Sequence, residues 1–562
     1  MTRGDEMRAV PAVLLSVTLM LAAPAHAQAG RAFDARAWAG DVAVIARELP
    51  ARHPDAFFRM PRERWDSATA ATARRMPSLT RPEALVALLE LVALVRDGHT
   101  TINPFFDRAA GVRYYPVELY QFEDGLFVRS AAPAHAALAG ARVLRVGRVS
   151  ADSALAAVAR VIPHENEWWV RGWGGQYLGL AEVLEGLGLV DDTERLPLVI
   201  ERKGRRETVV VSPAGRLSPS GHNPMTTIDR SGWAVMRDAG EPPLWLRNPG
   251  VPYWSEYLSA ERALYISYRA VVSVDQPSNE AFWRGVFALA DSVPVDRLVL
   301  DIRENIGGNS FYNRQVVRGI LARPALDRPD RLFVITGART FSAAMNLARD
   351  LEHWTNATFV GEPTGNAGYF FGDHVQVPLP ASGLTLNVST LTWPPYDPRD
   401  RRDFLAPSVY VPLTSAQFRA NVDPAMRAIV ARGAAPSLGT RVEAAVLGGD
   451  TATAERLVAE ARADVANRFR SPEADVNGAG YRLVNAGKLS AALALFRINT
   501  RAFPGSANAW DSLGEALLLA GDREAGIAAY RKALDIDADF ASSRQALERL
   551  GVEGPGIGAV AR

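Results

Sequence analysis

The chain has no cysteine among its 562 residues. That excludes cysteine nucleophiles, zinc–thiolate and iron–sulfur sites and any disulfide framework. Lysine is nearly absent: Lys203, Lys488 and Lys532 are the only ones, and every other basic residue is arginine. A lysine base or Schiff base would have to come from one of those positions. Neither sign of charge is in excess, with 63 Lys plus Arg against 62 Asp plus Glu. No basic surplus is available to neutralise phosphates, so nucleic acid is not an expected partner. His-Glu-x-x-His and comparable ligand spacings are missing, and neither a metal nor a cofactor is expected.

Long apolar runs are also missing beyond the first thirty residues; spanning a bilayer takes about 20 such residues. At the start, Arg3 and Arg8 precede the apolar stretch Ala9–Ala23, which ends in Ala25-His26-Ala27. A basic start, a short apolar run and a small-x-small exit describe a signal peptide over 1–27, cleaved after Ala27. The expected mature chain is exported, periplasmic or secreted, with no integral membrane segment. The composition, 48% apolar and 22% charged, is that of packed globular protein, and the length calls for several domains.

Residues 28–111 carry helical periodicity, over Asp41–Leu49 and again from Pro82 to Val95. The second helix runs into Asp97-Gly98-His99-Thr100, with Gly98 as a helix stop. Residues 112–213 read as β-rich, a small sandwich or barrel with one or two helices, and 214–250 as a connecting segment rich in Gly, Pro, Ser and Asn. From 251 to 425 short apolar runs (Leu264–Tyr268, Leu298–Ile302, Leu332–Ile335) alternate with helical stretches, the pattern of a sheet covered by helices. Between 440 and 551, Gly487 and Gly521, Ala491 and Ala525, and Phe496 and Tyr530 are each 34 residues apart. A 34-residue helix–turn–helix period resembles tetratricopeptide repeats, a possible surface for a protein partner.

Three segments can carry chemistry. Ser342 follows the strand Leu332–Ile335 and precedes a helical stretch. A serine there is either a nucleophile beside unpaired backbone N–H groups or simply a helix cap. Gly307-Gly308 ends the strand around Asp301; adjacent glycines point N–H groups at an anion or form a plain turn. His99 is a general base or a structural histidine. His374 is a second candidate base or a polar strand residue. Trp168, Trp169 and Trp173 are core residues or a grip for peptide side chains.

In order, LVRDGHT, LVLDIRENIGG, TFSAAMNLARDL, VGEPTGNAG, LPASGLTLNVS and RDFLAPSVYVPLT resemble the C-terminal processing, or tail-specific, peptidase family, in its tricorn-like Ser/His branch. The resemblance covers roughly residues 40–425. It implies a multidomain α/β protein: a helical N-terminal part, a degenerate PDZ-like domain over 112–213, and a ClpP/crotonase-like core over 251–425, followed here by the α-helical repeats. It also implies an exported serine endopeptidase acting on peptide or protein substrates, with Ser342 as nucleophile. Gly307, Gly308 and Ala343 would form the oxyanion hole. Many members use a lysine after the serine, but none lies between Lys203 and Lys488; His99 matches the histidine of tricorn-like members. Those members carry a serine before the histidine, where this chain has Gly98, and a distant glutamate, where it offers Asp397, Asp400 or Asp403. The alternatives are a catalytically inactive peptide-binding module and a hydrolase of small esters.

Overall fold

The computed structural model describes residues 33–215, 232–432 and 436–552. The signal-peptide segment 1–27 and residues 216–231 of the connecting segment lie outside them. The chain divides into two compact units: residues up to 407 with 411–429, and residues from 430 onward with 408–410.

In the first unit, helices α1 (Ala35–Arg52), α2 (Arg62–Arg75) and α3 (Arg81–Ala93) open the chain. A capping box between Thr80 and Glu83 and a proline in the first turn start α3, whose residues Ala84–Leu89 are all buried. An antiparallel sheet follows, with β1 (Val117–Phe122), β2 (Gly125–Ala131), β3 (Arg142–Val146), β4 (Val149–Ser150), β5 (Leu196–Arg202), β6 (Arg205–Val211) and β7 (Ala234–Val235). Its order is β1-β2-β3-β5-β6, with β4 on β3 and β7 on β2. Three helices accompany it: α4 (Ala151–Ala159), α5 (Glu167–Tyr177) and α6 (Ala181–Gly186). This differs from the sandwich or barrel expected over 112–213. Residues 167–177 are helical because Asn166 caps α5, accepting from the N–H groups of Trp168 and Trp169, and Trp169 and Trp173 fall on one face. The helices α1–α3 and this sheet share a single hydrophobic core.

The α/β part holds β8 (Tyr253–Leu258), β9 (Ala263–Tyr268), α7 (Asn279–Ser292), β10 (Arg297–Asp301), α8 (Asn313–Leu321), β11 (Leu332–Thr336), α9 (Ala343–Trp354) and β12 (Thr358–Gly361). The strands run β12-β11-β10-β9-β8. β9 to β12 are parallel and β8 is antiparallel to β9. Every residue of β9 and β11 is buried, as expected of parallel strands covered on both faces. A hairpin of β13 (Phe370–Pro378) and β14 (Thr385–Trp393) follows. Thr101 exchanges backbone hydrogen bonds with Asn387 of β14, which ties the segment after α3 to this hairpin.

The second unit is helical: Leu438–Leu447, Thr451–Ala463, Glu473–Asn485, Leu489–Ala502, Ala507–Leu519, Arg523–Ile536 and Ala541–Arg549. Helices starting at 473, 507 and 541, and at 489 and 523, recur every 34 residues. Gly480 packs on the Phe496 ring, and 34 residues later Gly514 packs on Tyr530.

One buried ion-pair triad fastens the first unit. Arg303, just beyond β10, donates to Asp301 (Nε–Oδ1, 3.0 Å) and to both oxygens of Asp423 at 3.2 and 2.9 Å. Removing Asp423 leaves Arg303 paired with Asp301 but takes away the charge-assisted bonds to the second carboxylate, a loss of about 1.5–3 kcal/mol. Asp423→Ala should therefore lower unfolding stability by about that much in urea titration; an unchanged midpoint would rule out the triad as a fastener.

Candidate active site

Between the end of β11 and the start of α9 the chain reverses through Gly337–Ser342. Ser342 takes φ 55° and ψ −125°, a conformation that L residues rarely adopt. A non-glycine residue held there costs roughly 1–3 kcal/mol, and a strained turn between strand and helix is where a nucleophilic serine is presented. The Ser342 side chain makes no capping hydrogen bond to α9. Its backbone N–H donates to Asn366 Oδ1 at 2.6 Å.

The neighbouring strand end is organised by Asn305, which is fully buried. Its Nδ2 donates to the Tyr268 carbonyl at 2.7 Å, its Oδ1 accepts from Gly307 N–H at 2.9 Å, and its own carbonyl accepts from Phe341 N–H at 3.0 Å. Thr340 Oγ1 adds a bond to the Ile302 carbonyl at 2.9 Å. These bonds press the Gly307 turn against the serine. A Cβ on Gly307 would stand 2.5 Å from Ser342 Cβ and 3.0 Å from its Oγ. Of the expected oxyanion donors, Gly307 departs, because its N–H is taken by Asn305. The N–H groups of Gly308 and Ala343 donate to nothing among the described residues.

His99 lies in the turn after α3. Its ring stacks on Phe341, the residue before the serine, at 4.4 Å and 24°, and Trp169 of α5 stacks on the same phenyl ring at 3.9 Å and 18°. His99 thus packs on the side chain of the residue preceding Ser342, but no hydrogen bond joins the two: neither ring nitrogen of His99 has a partner. Burial holds the His99 pKa down to about 4 against the pull of Asp97, so the ring is a neutral base at ordinary pH. His374, on β13 opposite Ser389, lies close enough that its charge also opposes protonation of His99.

The turn itself hangs on Asp97. Its Oδ2 accepts from His53 Nε2 (3.1 Å), Thr100 Oγ1 (2.6 Å) and Ser389 Oγ (2.6 Å), and its Oδ1 accepts from the His99 N–H (3.0 Å). The Asp55 N–H donates to His53 Nδ1, so Nε2 carries the ring proton toward Asp97. Burial pushes Asp97 up, but the hydrogen bond from His53, joined by that from Ser389, outweighs it, and the carboxyl is held below its ordinary pKa.

The three acids expected behind His99 are engaged elsewhere: Asp397 with Arg399, Asp400 with Arg402, and Asp403 with Arg59. Sequence reasoning passed over Asp97, although it stands two residues before His99 in the same motif. It had no signal for Glu165, which is 1% exposed and lies just ahead of α5. Nor did it single out Asn366, which lies in the VGEPTGNAG segment. The Nδ2 of Asn366 is buried without a partner. Oxygens of Asp97 and Glu165 and a ring nitrogen of His99 lie within 4.8 Å of one another. Those are donors that could surround a cation, but four hydrogen bonds already occupy Asp97, which suits an acid–base cluster better than a ligand set.

No known family's sequence profile matches the chain. No curated protein sequence matches it either. Likeness is found in structure. Mature CPAF complexed with lactacystin overlays with a TM-score of 0.51 at 13% identity, covering 71% of this chain and 98% of its own. A serine-to-alanine mutant of CPAF gives 0.50 at 12% identity, covering 71% and 97%. The photosystem II D1 C-terminal processing protease gives 0.32 at 15%, covering 66% and 92%. At 12–13% identity it is the fold alone that the chain shares with CPAF, a mixed α/β fold.

Proposed function

We propose that this chain is an exported serine endopeptidase of the tail-specific type, cleaving peptide bonds through an acyl-enzyme on Ser342. One observation carries the reading: Ser342 is held in a strained conformation at a helix N-terminus, yet its side chain does nothing for the helix. The likeness of fold to CPAF supports it. Chemistry belongs to the site rather than to the fold, so the residues must account for it.

His99 accepts the Ser342 Oγ proton as Oγ attacks the peptide carbonyl carbon. The N–H groups of Gly308 and Ala343 take the oxyanion, donors of a kind worth about 3–4 kcal/mol each. Collapse breaks the C–N bond, and His99 returns its proton to the leaving amine. Water then attacks the ester by the same route. The Ser342–His99 hydrogen bond, on this reading, forms when substrate is bound, as catalytic bonds commonly tighten only in the complex. On this reading the antiparallel sheet of β1–β7 is the degenerate PDZ-like element. An extended peptide is added beside a sheet edge. The 34-residue helical pairs are tetratricopeptide-like and available to a protein partner. The missing Ser342–His99 bond also favours a second reading, a peptide-binding module without catalysis.

A fluorophosphonate probe separates the two. Labelling is expected at Ser342, abolished in Ser342→Ala and slowed about 10²–10⁴-fold in His99→Ala. Folded wild type that takes no label would leave the binding module as the better reading. Gly307→Ala places a methyl against Ser342 Cβ and should slow labelling by about a hundredfold, the usual effect of an ångström-scale displacement. If the Ser342 turn is strained for chemistry, Ser342→Gly should melt above Ser342→Ala, by about 1 kcal/mol or more of stability. Equal melting temperatures would remove the strain argument.

A further inference from the structure

We infer that Glu165 is the positioning residue for His99, holding one ring nitrogen so that the other can accept the Ser342 proton. The inference rests on the serine-peptidase reading above and names the acid that the reading lacks.

The geometry selects this carboxyl. Oε1 of Glu165 accepts from the Gly98 N–H at 3.1 Å, and Oε2, buried, has no partner at all. Both nitrogens of the adjacent His99 are equally unpartnered. Three groups at one buried point with unmet hydrogen-bonding capacity cost free energy unless they meet one another at some stage of the reaction. Asp97 is the closer competitor, with Oδ1 at 4.0 Å from His99 Nδ1. Its oxygens, however, already hold the turn to His53, Thr100, Ser389 and the His99 backbone, and a swing toward the ring would dissolve those four bonds. Glu165 has only the Gly98 bond at stake when Oε2 swings.

Gly98 is part of the same arrangement. A Cβ there would lie 2.8 Å from the Phe341 ring and 3.1 Å from Glu165 Oε2. The residue before the histidine has no side chain because the carboxyl and the phenyl ring close over its backbone. The loop that supplies Glu165 continues directly into α5, whose Trp169 backs Phe341. Asn166 Nδ2 ties that loop to the carbonyls of Thr364 (3.3 Å) and Asp403 (2.6 Å). Acid, histidine and nucleophile are thereby braced by one connected set of segments.

The cluster has a pH consequence. Burial and the charge of Asp97 push Glu165 up to about 8, against the Gly98 N–H and the more distant Arg59. The groups facing His99 are Asp97, Asp373 and His374. The ionised carboxylate accepts strongly from an imidazole N–H and stabilises the imidazolium that forms, whereas the neutral acid is a weaker acceptor and can instead donate its own O–H to a ring nitrogen. Competence therefore rises as pH increases through the Glu165 pKa, well above the His99 value.

The test is the second-order rate of fluorophosphonate labelling of the full chain across pH, for wild type, Glu165→Gln and Glu165→Asp, with melting curves for each. Expected is a wild-type rate that climbs through a limb near pH 8. In Glu165→Gln, a near-isosteric neutral replacement, the limb should vanish and the rate at high pH should fall at least about a hundredfold, within the span known for loss of an orienting acid. Glu165→Asp should keep a limb and part of the rate. A Gln variant with the wild-type rate and limb overturns the proposal, as does a labelled wild type with no limb in that region. If the Gln variant does not fold, the wild-type limb and its displacement in Glu165→Asp decide. Folded wild type unlabelled at every pH instead sinks the serine-peptidase reading, and this proposal with it.

Discussion

The side-by-side pairing of two parallel strands is the constraint on which the site depends. Leu300 of β10 pairs with Val334 of β11 and Asp301 with Ile335, so the two strands end at the same level. What leaves them, the Gly307 turn from one and the Ser342 turn from the other, must emerge as neighbours. Asn305 then converts neighbourhood into contact. A buried amide has to satisfy its donor and acceptor. This one does so on Tyr268 and Gly307 while its carbonyl holds Phe341, and the segments before the nucleophile are locked to the candidate oxyanion turn.

His99 arrives from a distant part of the chain, and its placement is of a different kind. It is not delivered by the α/β sheet but by α3, which is embedded in the core shared with the antiparallel sheet. Asp97 joins the two parts: one carboxylate bonds the turn itself, His53 after α1 and Ser389 of β14. The nucleophile side is therefore set by backbone register. The base side is set by a buried charge network, which tolerates local change less well.

What was legible in the sequence follows the same division. The apolar runs of β9, β10 and β11 mark themselves, because strands buried on both faces have no room for polar residues. The 34-residue spacing in the helical unit was visible because each repeat needs the same small-against-large packing, as at Gly480 and Phe496. The helix α5 was not visible, since Gly172, Gly174 and Gly175 lower its helical propensity and tertiary packing overrides them. The strain at Ser342 had no residue type to announce it. Asn305 lay within a quoted motif but reads as an ordinary turn residue. Glu165 was beyond reach, because its meeting with His99 depends on how a loop before α5 folds back over Gly98, a contact that no local pattern encodes.

The same few residues also concentrate what a stable fold would avoid. Ser342 sits in a costly backbone conformation, and His99, Glu165 and Asn366 bury polar atoms without partners. Each such group is worth about 1–3 kcal/mol against folding. Unpartnered buried polar atoms occur elsewhere too, as at Trp254 of β8 and Trp283 of α7; what sets this group apart is that the titratable side chains of His99 and Glu165 lie within reach of one another. A chain that only needed to bind peptides along a sheet edge would gain stability by relaxing Ser342 and by replacing Glu165 with an apolar residue. Conflicts between local stability and arrangement are expected where a site must stay unsatisfied until its substrate completes it. Their convergence around Ser342 and His99 is the physical argument for chemistry there rather than for binding alone.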